Sequence, residues 1–313
     1  MQVFERQALT SHCVGAQWPD FLGQVQLGES FIIETESCNP NGPIEIAGVK
    51  AGDNVAIHIE KIEVVGPFKA PNGGPFFEGC GPDVTLEYRE GYFYWPNHFR
   101  LKASPSVGNV AVLPEPTAEV MEAIREYNYG GKRWRNAKGW RRVVREPRDK
   151  HCHQDCYAVT AGSIVHMKAQ VDGAGLCMDD VHAYIGQGEM SFAGIEVCAG
   201  VQVRVERSPG WKADWPIIET AEEIMVFSSY TTTYVHRPAL EYVDVIREAY
   251  RALREVVAAK VGCSIAEANS IVATAVDIRN CALYGLERFI SKEKSPTTCD
   301  IAVVAALPKH VFM

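Results

Sequence analysis

The most informative stretch of this chain is Asp179-Asp180-Val181-His182-Ala183-Tyr184-Ile185-Gly186-Gln187-Gly188-Glu189. The stretch joins acidic residues and a histidine to a glycine-rich turn that ends in a glutamate. A second polar cluster precedes it, at His151-Cys152-His153-Gln154-Asp155-Cys156. Charged and imidazole side chains cost free energy when buried unless they are neutralised or hydrogen-bonded. Their concentration here predicts a metal site or an acid/base site.

Short motifs on both sides of this stretch occur in a characteristic order. They are Glu34-Thr35-Glu36-Ser37, Gly42–Gly48 with Ala51-Gly52-Asp53, Asp155, Asp179–Ala183, Gly186–Glu189, Gly194-Ile195-Glu196 and Leu307–Phe312. This order resembles that of the acetamidase/formamidase family of amide hydrolases. The chain also departs from the family pattern. Asp179 replaces a glycine, Gln187 replaces an aspartate, and only Asp155 matches the family within the cluster His151–Asp155.

The resemblance implies a β-rich α+β fold, with packed β-sheets of the sandwich or barrel type and a C-terminal helical pair. It also implies a homodimer or a higher homo-oligomer. The implied reaction is the metal-assisted hydrolysis of a small linear carboxamide, such as formamide or acetamide, to a carboxylate and ammonia. Residues 132–150 lack the Pro- and Gly-rich passage of the family, so a hydrolase of another C–N or acyl bond is one alternative. A non-catalytic relative that binds a small metabolite or a metal is another.

Four side chains are the candidate metal ligands: Asp155, Asp180, His182 and His153. Asp180 and His182 lie two residues apart, as do His153 and Asp155, so each pair projects to one face of an extended segment. A divalent metal ion held by carboxylates and imidazole activates water and polarises a carbonyl group. A second imidazole would favour zinc over calcium or magnesium, so we expect zinc.

Glu189 is the candidate general base or acid, because the glycines before it allow a tight backbone course toward a substrate. Glu196 and Glu34 are alternative catalytic carboxylates or partners that orient the ligands. Taken singly, His182 is also explained as a hydrogen-bonded structural histidine, and Gly186–Gly188 as an ordinary hairpin turn. A covalent mechanism through Cys152 or Cys156 is a further alternative.

The hydrophobic pattern predicts strands first and helices late in the chain. Strand-like alternation covers residues 30–64, 159–171 and 195–205, with turns at 39–43 and 66–75. After Pro238, apolar residues recur at helical spacing as far as Gly262, and Ser264 with Glu267 predicts a capping box that opens a second helix through about Val276. We divide the chain into an N-terminal β-rich region (1–130), a central β region with the site (131–236) and a C-terminal region (237–313), which together form one compact unit.

The composition limits the class of protein. The chain has 313 residues, a hydrophobic fraction of 47% and a net charge of −8. These values exclude a disordered protein and disfavour attraction to nucleic acids or anionic membranes. The N-terminus has no apolar signal core, and no run of the chain has the length of a membrane span, so we expect a cytoplasmic enzyme.

Two further segments have competing interpretations. Residues 132–150 contain nine basic residues with Trp134 and Trp140 between them, a composition that suits nucleic-acid binding. The net negative charge favours a solvated connection instead. The spacing of Cys152 and Cys156 suits structural zinc, but the chain has no second pair of cysteines at a comparable spacing, and the ten cysteines are interpreted as reduced core residues.

Overall fold

The computed structural model describes most of the chain, in eleven segments. These are residues 1–6, 19–36, 40–72, 81–96, 99–118, 120–121, 154–190, 193–212, 214–231, 242–283 and 300–312. They form eighteen strands, two α-helices and a C-terminal 3-10 helix. The early strands are β1 Gln2–Phe4, β2 Gln24–Val25, β3 Ser30–Thr35, β4 Asn41–Ile46, β5 Asn54–Val65, β6 Lys69–Ala70, β7 Val84–Thr85, β8 Glu87–Arg89, β9 Tyr92–Tyr94, β10 Arg100–Lys102 and β11 Ser106–Val112.

The later elements follow residues 122–153, which the structure does not describe. They are β12 Ile164–Lys168, β13 Leu176–His182, β14 Cys198–Arg207, β15 Ile217–Glu219, β16 Glu223–Thr231, α1 Tyr242–Val261, α2 Ile265–Ala275, β17 Asp277–Leu283, β18 Asp300–Pro308 and the 3-10 helix Lys309–Phe312.

A nine-stranded sheet forms the larger layer, in the order β1-β3-β14-β5-β12-β15-β16-β18-β17. Its strands alternate as the sequence predicts: in β14, Val201, Val203 and Val205 are buried while Gln202 and Arg204 are only half-buried. This period of two follows from the pleat, which sends successive side chains to opposite faces. The sheet takes strands from all three of the regions proposed from the sequence.

A smaller four-stranded sheet positions the polar stretch, with the order β11-β13-β4-β2. Strand β13 lies between β11 and β4, and every residue of both β11 and β13 is buried. Strands buried on both faces usually carry apolar residues throughout. The polar side chains at the end of β13 are therefore held inside the protein, where each needs a partner.

The helical pair packs against the larger sheet. The buried side of α1, which includes Val245, Ala249 and Leu253, contacts β16 and β18. Gly262 follows α1 with a φ of +74°, and α2 begins with the reciprocal capping box of Ser264 and Glu267. The structure thus confirms the β-rich α+β fold and the C-terminal helical pair. No single described helix is long and apolar enough to cross a membrane; α1 and α2 pass such a test only together, bent by 119°.

Some predicted boundaries are wrong. The strand expected from residue 159 begins only at Ile164. The Ser163 hydroxyl accepts from the backbone N–H of Thr160 and donates to its carbonyl, and these two bonds hold a turn. The strand expected from residue 195 begins at Cys198. In the turn expected at 39–43, strand β4 already begins at Asn41, whose side-chain amide donates to the carbonyl oxygens of Phe4, Glu5 and Glu34.

Candidate active site

Three of the four candidate metal ligands meet at the end of β13. One ligand atom from each of Asp155, Asp180 and His182 lies within 4.8 Å of the other two. All three residues are buried, with exposed fractions of 2% for each aspartate and 0% for the histidine. Two carboxylates and an imidazole at this separation could hold a metal ion.

The backbone at this cluster adopts unusual conformations. Five described non-glycine residues have a positive φ, and three of them are Asp155 (+44°), Asp180 (+60°) and Glu189 (+40°). Residues other than glycine occupy this region at a cost, and such strain collects at functional sites. The sequence argument placed Asp180 and His182 on one face of a regular extended segment. The structure brings their ligand atoms together, but through an irregular strand.

Two glycines make room for the His182 ring. A Cβ atom on Gly108 would lie 2.9 Å from Cε1 of His182, and one on Gly194 would lie 2.7 Å from Cδ2 of the same ring. The Gly108 Cβ would also lie 2.8 Å from Oδ1 of Asp155. Any side chain at either position would therefore push on the ring. Sequence reasoning missed Gly108, although an isolated glycine within the valine-rich β11 is a known signal of close approach.

Glu189 and Glu196 form a second group with His182. Their carboxylates and the imidazole again offer ligand atoms within 4.8 Å of one another. The Nε2 atom of His182 lies 3.5 Å from Oε1 of Glu189, and a β-bridge places Glu196 opposite His182. Two of the three carboxylates that the sequence proposed for catalysis, Glu189 and Glu196, thus lie beside the metal-ligand candidates. Glu189 is buried and Glu196 is half-buried.

The turn before Glu189 is held by hydrogen bonds to β17. Gly188 has a φ of +93°, its N–H donates to the carbonyl of Cys281, and its own carbonyl accepts from the N–H of Leu283. This pairing fixes the direction from which Glu189 enters the site. Gln187, which replaces the family's aspartate, is exposed and belongs to neither group of ligand candidates.

Two buried amide side chains, those of Gln154 and Asn109, form hydrogen bonds next to the ligand candidates. Gln154 accepts from the Val110 N–H at 2.8 Å and donates to the Val110 carbonyl at 2.9 Å, so its side chain pairs with β11 like a short strand. The N–H groups of Gln154 and Asp155 both donate to the Gly108 carbonyl. Asn109 donates to the carboxylate of Asp179, which precedes Asp180. None of these roles was predicted from the sequence.

The remaining candidates lie elsewhere or outside the described residues. Glu34 lies on β3, where its carboxylate accepts from the backbone N–H of Arg6 at 3.1 Å. It is in neither group of ligand candidates found among the described residues. His153, the basic segment 132–150 and Cys152 lie outside the residues that the structure describes.

A separate buried polar cluster surrounds His166 on β12. Its Nδ1 lies 2.7 Å from the Ser208 hydroxyl and its Nε2 lies 2.9 Å from the Glu219 carboxylate, which also pairs with Lys309. Burial lowers the pKa of His166, so the neutral ring donates from Nε2 to Glu219 and accepts from Ser208. That hydrogen bond, with Lys309, lowers the pKa of Glu219 to about 2. The Trp211 ring packs on His166. The cluster thus connects β12 and β15 to the residues that directly follow β14 and to those that directly follow β18.

The surroundings of His182 indicate whether a metal ion would fit among Asp155, Asp180 and His182. Among the residues that the structure describes, neither ring nitrogen of His182 has a hydrogen-bond partner, although the ring is fully buried. A buried imidazole without hydrogen-bond partners destabilises the fold, because it has given up its hydrogen bonds to water and gained none in return. A metal ion bound to a ring nitrogen, together with the nearby carboxylates, would satisfy it. The donor set therefore fits a divalent metal ion.

Comparisons with known proteins agree with this geometry. A family model described as the Acetamidase/Formamidase family matches residues 97–283, which include both groups of ligand candidates. No curated protein sequence matches the chain.

Several solved structures share the fold. An acetamidase from Bacillus halodurans is 19% identical with a TM-score of 0.69, over 94% of this chain and 93% of that chain. An acetamidase from Yersinia enterocolitica is 20% identical with a TM-score of 0.71, over 96% of this chain and 89% of that chain. A gamma lactamase from Delftia acidovorans is 17% identical with a TM-score of 0.54, over 100% and 93%. Identities this low show a common fold and leave the substrate open.

Proposed function

The chain belongs to the acetamidase/formamidase family, and from that premise we propose that it hydrolyses a small linear carboxamide to a carboxylate and ammonia with the help of a metal ion. One observation carries the proposal: the buried His182 belongs both to the group with the two aspartates and to the group with Glu189 and Glu196. Amide hydrolysis needs an activated water, a polarised carbonyl and a proton donor for the departing amine. The residues that would hold a metal ion and the carboxylates that would transfer a proton therefore lie in one cluster.

Asp155, Asp180 and His182 are the residues that would hold the metal ion, which we propose to be zinc, with calcium or magnesium as the alternatives. The imidazole supports zinc, and His153 would strengthen the preference if it adds a second nitrogen. When bound, such an ion polarises a carbonyl oxygen and lowers the pKa of water. Both aspartates lie on strained backbone, and the Gly108 carbonyl also accepts from the backbone N–H of Asp155, which fixes that residue's position.

Glu189 would transfer the proton. In this proposal its carboxylate takes a proton from the attacking water and returns it to the nitrogen as the C–N bond breaks, which gives a carboxylate and ammonia. Its burial and its 3.5 Å approach to His182 support this role. Glu196, opposite His182, would accept a hydrogen bond from the amide nitrogen of the substrate. Glu34 would then be a more distant partner.

A second candidate is the hydrolysis of another C–N bond. The likeness in fold to a gamma lactamase is the observation that favours it, since a lactam presents the same bond within a ring. A homo-oligomer in the cytoplasm completes the proposal. A measurement of the mass in solution would test the oligomer.

Paired substitutions test the proposed site. We expect Asp180→Asn and His182→Ala to lose bound metal and amide hydrolysis together, with circular dichroism unchanged. Matched controls are Asp172→Asn, at an exposed aspartate that pairs with Lys50, and His310→Ala, at an exposed histidine of the 3-10 helix. Both controls should keep metal and activity. Full turnover by Asp180→Asn or His182→Ala would remove that residue from the mechanism.

A further inference from the structure

Ser106 on β11 brings a hydroxyl group to the same face of the sheet as His182. The two residues lie directly opposite each other in the antiparallel pairing of β11 with β13. Residues in such a pair project to one face of the sheet, with Cβ atoms usually about 4.5–5.5 Å apart. The side chain of Ser106 therefore neighbours that of His182.

The position of Gly108 supports this assignment independently. Gly108 comes two residues after Ser106 on the same strand, so the Cβ positions of both lie on one face. A Cβ atom on Gly108 would lie 2.8 Å from Oδ1 of Asp155 and 2.9 Å from Cε1 of His182. Ser106 thus projects to the side of β11 on which the metal-ligand candidates lie.

The Ser106 hydroxyl is buried and unpaired. The residue is only 1% exposed, and its Oγ has no hydrogen-bond partner among the residues that the structure describes. A buried hydroxyl without a partner destabilises the fold, because its lost hydrogen bonds to water are not replaced. The two ring nitrogens of His182 are unpaired in the same sense. Two adjacent residues thus have buried polar atoms that a bound molecule would satisfy.

Hydrogen bonds on both sides of Ser106 hold its backbone in place. The carbonyl of Pro105 accepts from the Thr160 hydroxyl at 2.6 Å, and the N–H of Val107 donates to the carbonyl of Val159 at 2.8 Å. The Cα atom of Ser106 is therefore fixed before a ligand binds. Donors that are positioned in advance are the ones that stabilise developing charge in active sites.

The neighbouring carboxylates indicate what the hydroxyl would bind. The two groups of ligand candidates contain the side chains of Asp155, Asp180, Glu189 and Glu196. An ionised carboxylate only accepts hydrogen bonds, so these groups suit the N–H of a carboxamide and oppose negative charge on its carbonyl oxygen. Ser106 contributes an uncharged O–H donor, which suits that oxygen.

We propose that Ser106 is a further catalytic residue, whose hydroxyl donates a hydrogen bond to the carbonyl oxygen of the carboxamide substrate. The bond becomes stronger as the oxygen gains negative charge during hydrolysis. This inference rests on the proposed function and adds a substrate contact that the sequence argument did not single out. The loss of one such donor lowers kcat by about 10²- to 10³-fold. The bond to the neutral substrate contributes roughly 2- to 10-fold in affinity.

Ser106→Ala tests the role of the hydroxyl, and Ser228→Ala is the matched control. Ser228 is also 1% exposed, and its hydroxyl also lacks a partner among the described residues. It lies on β16, which β18 and β17 separate from Gly188. We expect kcat to fall by about 10²- to 10³-fold in Ser106→Ala alone, with bound metal unchanged in both variants.

Two further measurements do not depend on turnover. In metal-free protein, the urea midpoint of Ser106→Ala should equal or exceed that of wild type, because the substitution removes an unpaired buried hydroxyl. In Glu189→Gln, which turns over slowly, saturation-transfer NMR should show that added Ser106→Ala weakens acetamide binding by roughly 2- to 10-fold.

Several outcomes would overturn the inference. Wild-type turnover in folded Ser106→Ala would do so and leave the proposed function intact. A lower urea midpoint would show that the hydroxyl is bonded within the protein, and a loss of metal would show that it supports the ion instead of the substrate. If wild-type protein hydrolyses no amide, the proposed function fails. Ser106 then remains a substrate contact only if Ser106→Ala weakens acetamide binding, and equal or absent binding refutes it.

Discussion

Gly108 lies against His182, so closely that a Cβ atom on the glycine would be 2.9 Å from Cε1 of the imidazole. The same atom would be 2.6 Å from the backbone oxygen of Asp180 and 2.8 Å from Oδ1 of Asp155. Asp155, Asp180 and His182 thus surround the position that a Cβ atom at residue 108 would take. Backbone atoms cannot move aside as a flexible side chain can, so a methyl group here must displace the site.

Gly108→Ala should therefore weaken metal binding by about 10- to 100-fold, which is the cost of disturbing the groups that orient metal ligands. Gly186→Ala is the matched control, because a Cβ at Gly186 meets no atom within 4 Å. Titration of both metal-stripped variants with zinc would give the affinities. Equal affinity in the two variants would show that His182 and the aspartates do not share an ion at this position.

Glu189→Gln separates proton transfer from metal binding. If Glu189 is the general base, kcat should fall by about 10²- to 10⁴-fold while the bound metal stays at its wild-type level, because glutamine keeps the shape and loses the basic oxygen. Steady-state kinetics and elemental analysis on one preparation give both numbers. Loss of metal in this variant would instead make Glu189 a ligand, and wild-type turnover would exclude it from both roles.

Gln154→Leu tests the support behind Asp155. The leucine cannot pair with the N–H and carbonyl of Val110, and each buried polar group left without a partner costs roughly 1–3 kcal/mol. We expect a lower free energy of unfolding, measured by urea denaturation, together with weaker metal binding. Val110→Ala, which shortens the side chain and keeps the backbone pair, should lose stability but keep its metal affinity. The same loss of affinity in both variants would refute the positioning role of Gln154.

The His166 cluster predicts how stability depends on pH. The pKa of Glu219 is about 2 in the folded protein, held down first by His166 and then by Lys309, against a usual value of 4.5. A carboxyl with a lowered pKa stabilises the fold above its unfolded pKa, and this contribution is lost as the pH falls from about 4.5 toward 2. Because burial lowers the pKa of His166, protonation of the histidine in the unfolded state also reduces stability below about pH 6.5.

Urea denaturation at several pH values would check this dependence. Glu219→Gln should flatten the profile between about pH 4.5 and 2, and Lys309→Met should shift the loss to higher pH, because the remaining carboxylate is then held less strongly. A Glu219→Gln protein with the wild-type profile in this range would show that other carboxyl groups control the acid transition.

The sequence predicted the fold through local patterns that tertiary contacts did not override. Val201, Val203 and Val205 alternate with polar residues in β14, and Ser264 with Glu267 marks the start of α2. The predicted strand start at residue 159 was wrong, because a valine in a short apolar run does not reveal the turn that Thr160 and Ser163 form together. The strand that begins at Asn41 was missed because β4 pairs with β13, which lies far along the chain.

The candidate site was predictable only in part. Asp180, His182 and Glu189 are close in sequence, and their polar character inside an apolar region marked them. Gly108 and Gln154 gave no comparable signal, since a space beside a ring and a side chain that pairs with a strand exist only after folding. Glu34 was chosen through the family resemblance, and the structure places its carboxylate beside Arg6 instead of His182.

Ammonia release from metal-stripped protein, with zinc, calcium, manganese or magnesium restored separately, tests the central claim most directly. The panel would contain formamide, acetamide, larger linear amides and a lactam. The account predicts release that depends on an added metal ion, is strongest with zinc and favours a small linear amide. No release with any metal from correctly folded protein, or equal release without metal, would contradict it.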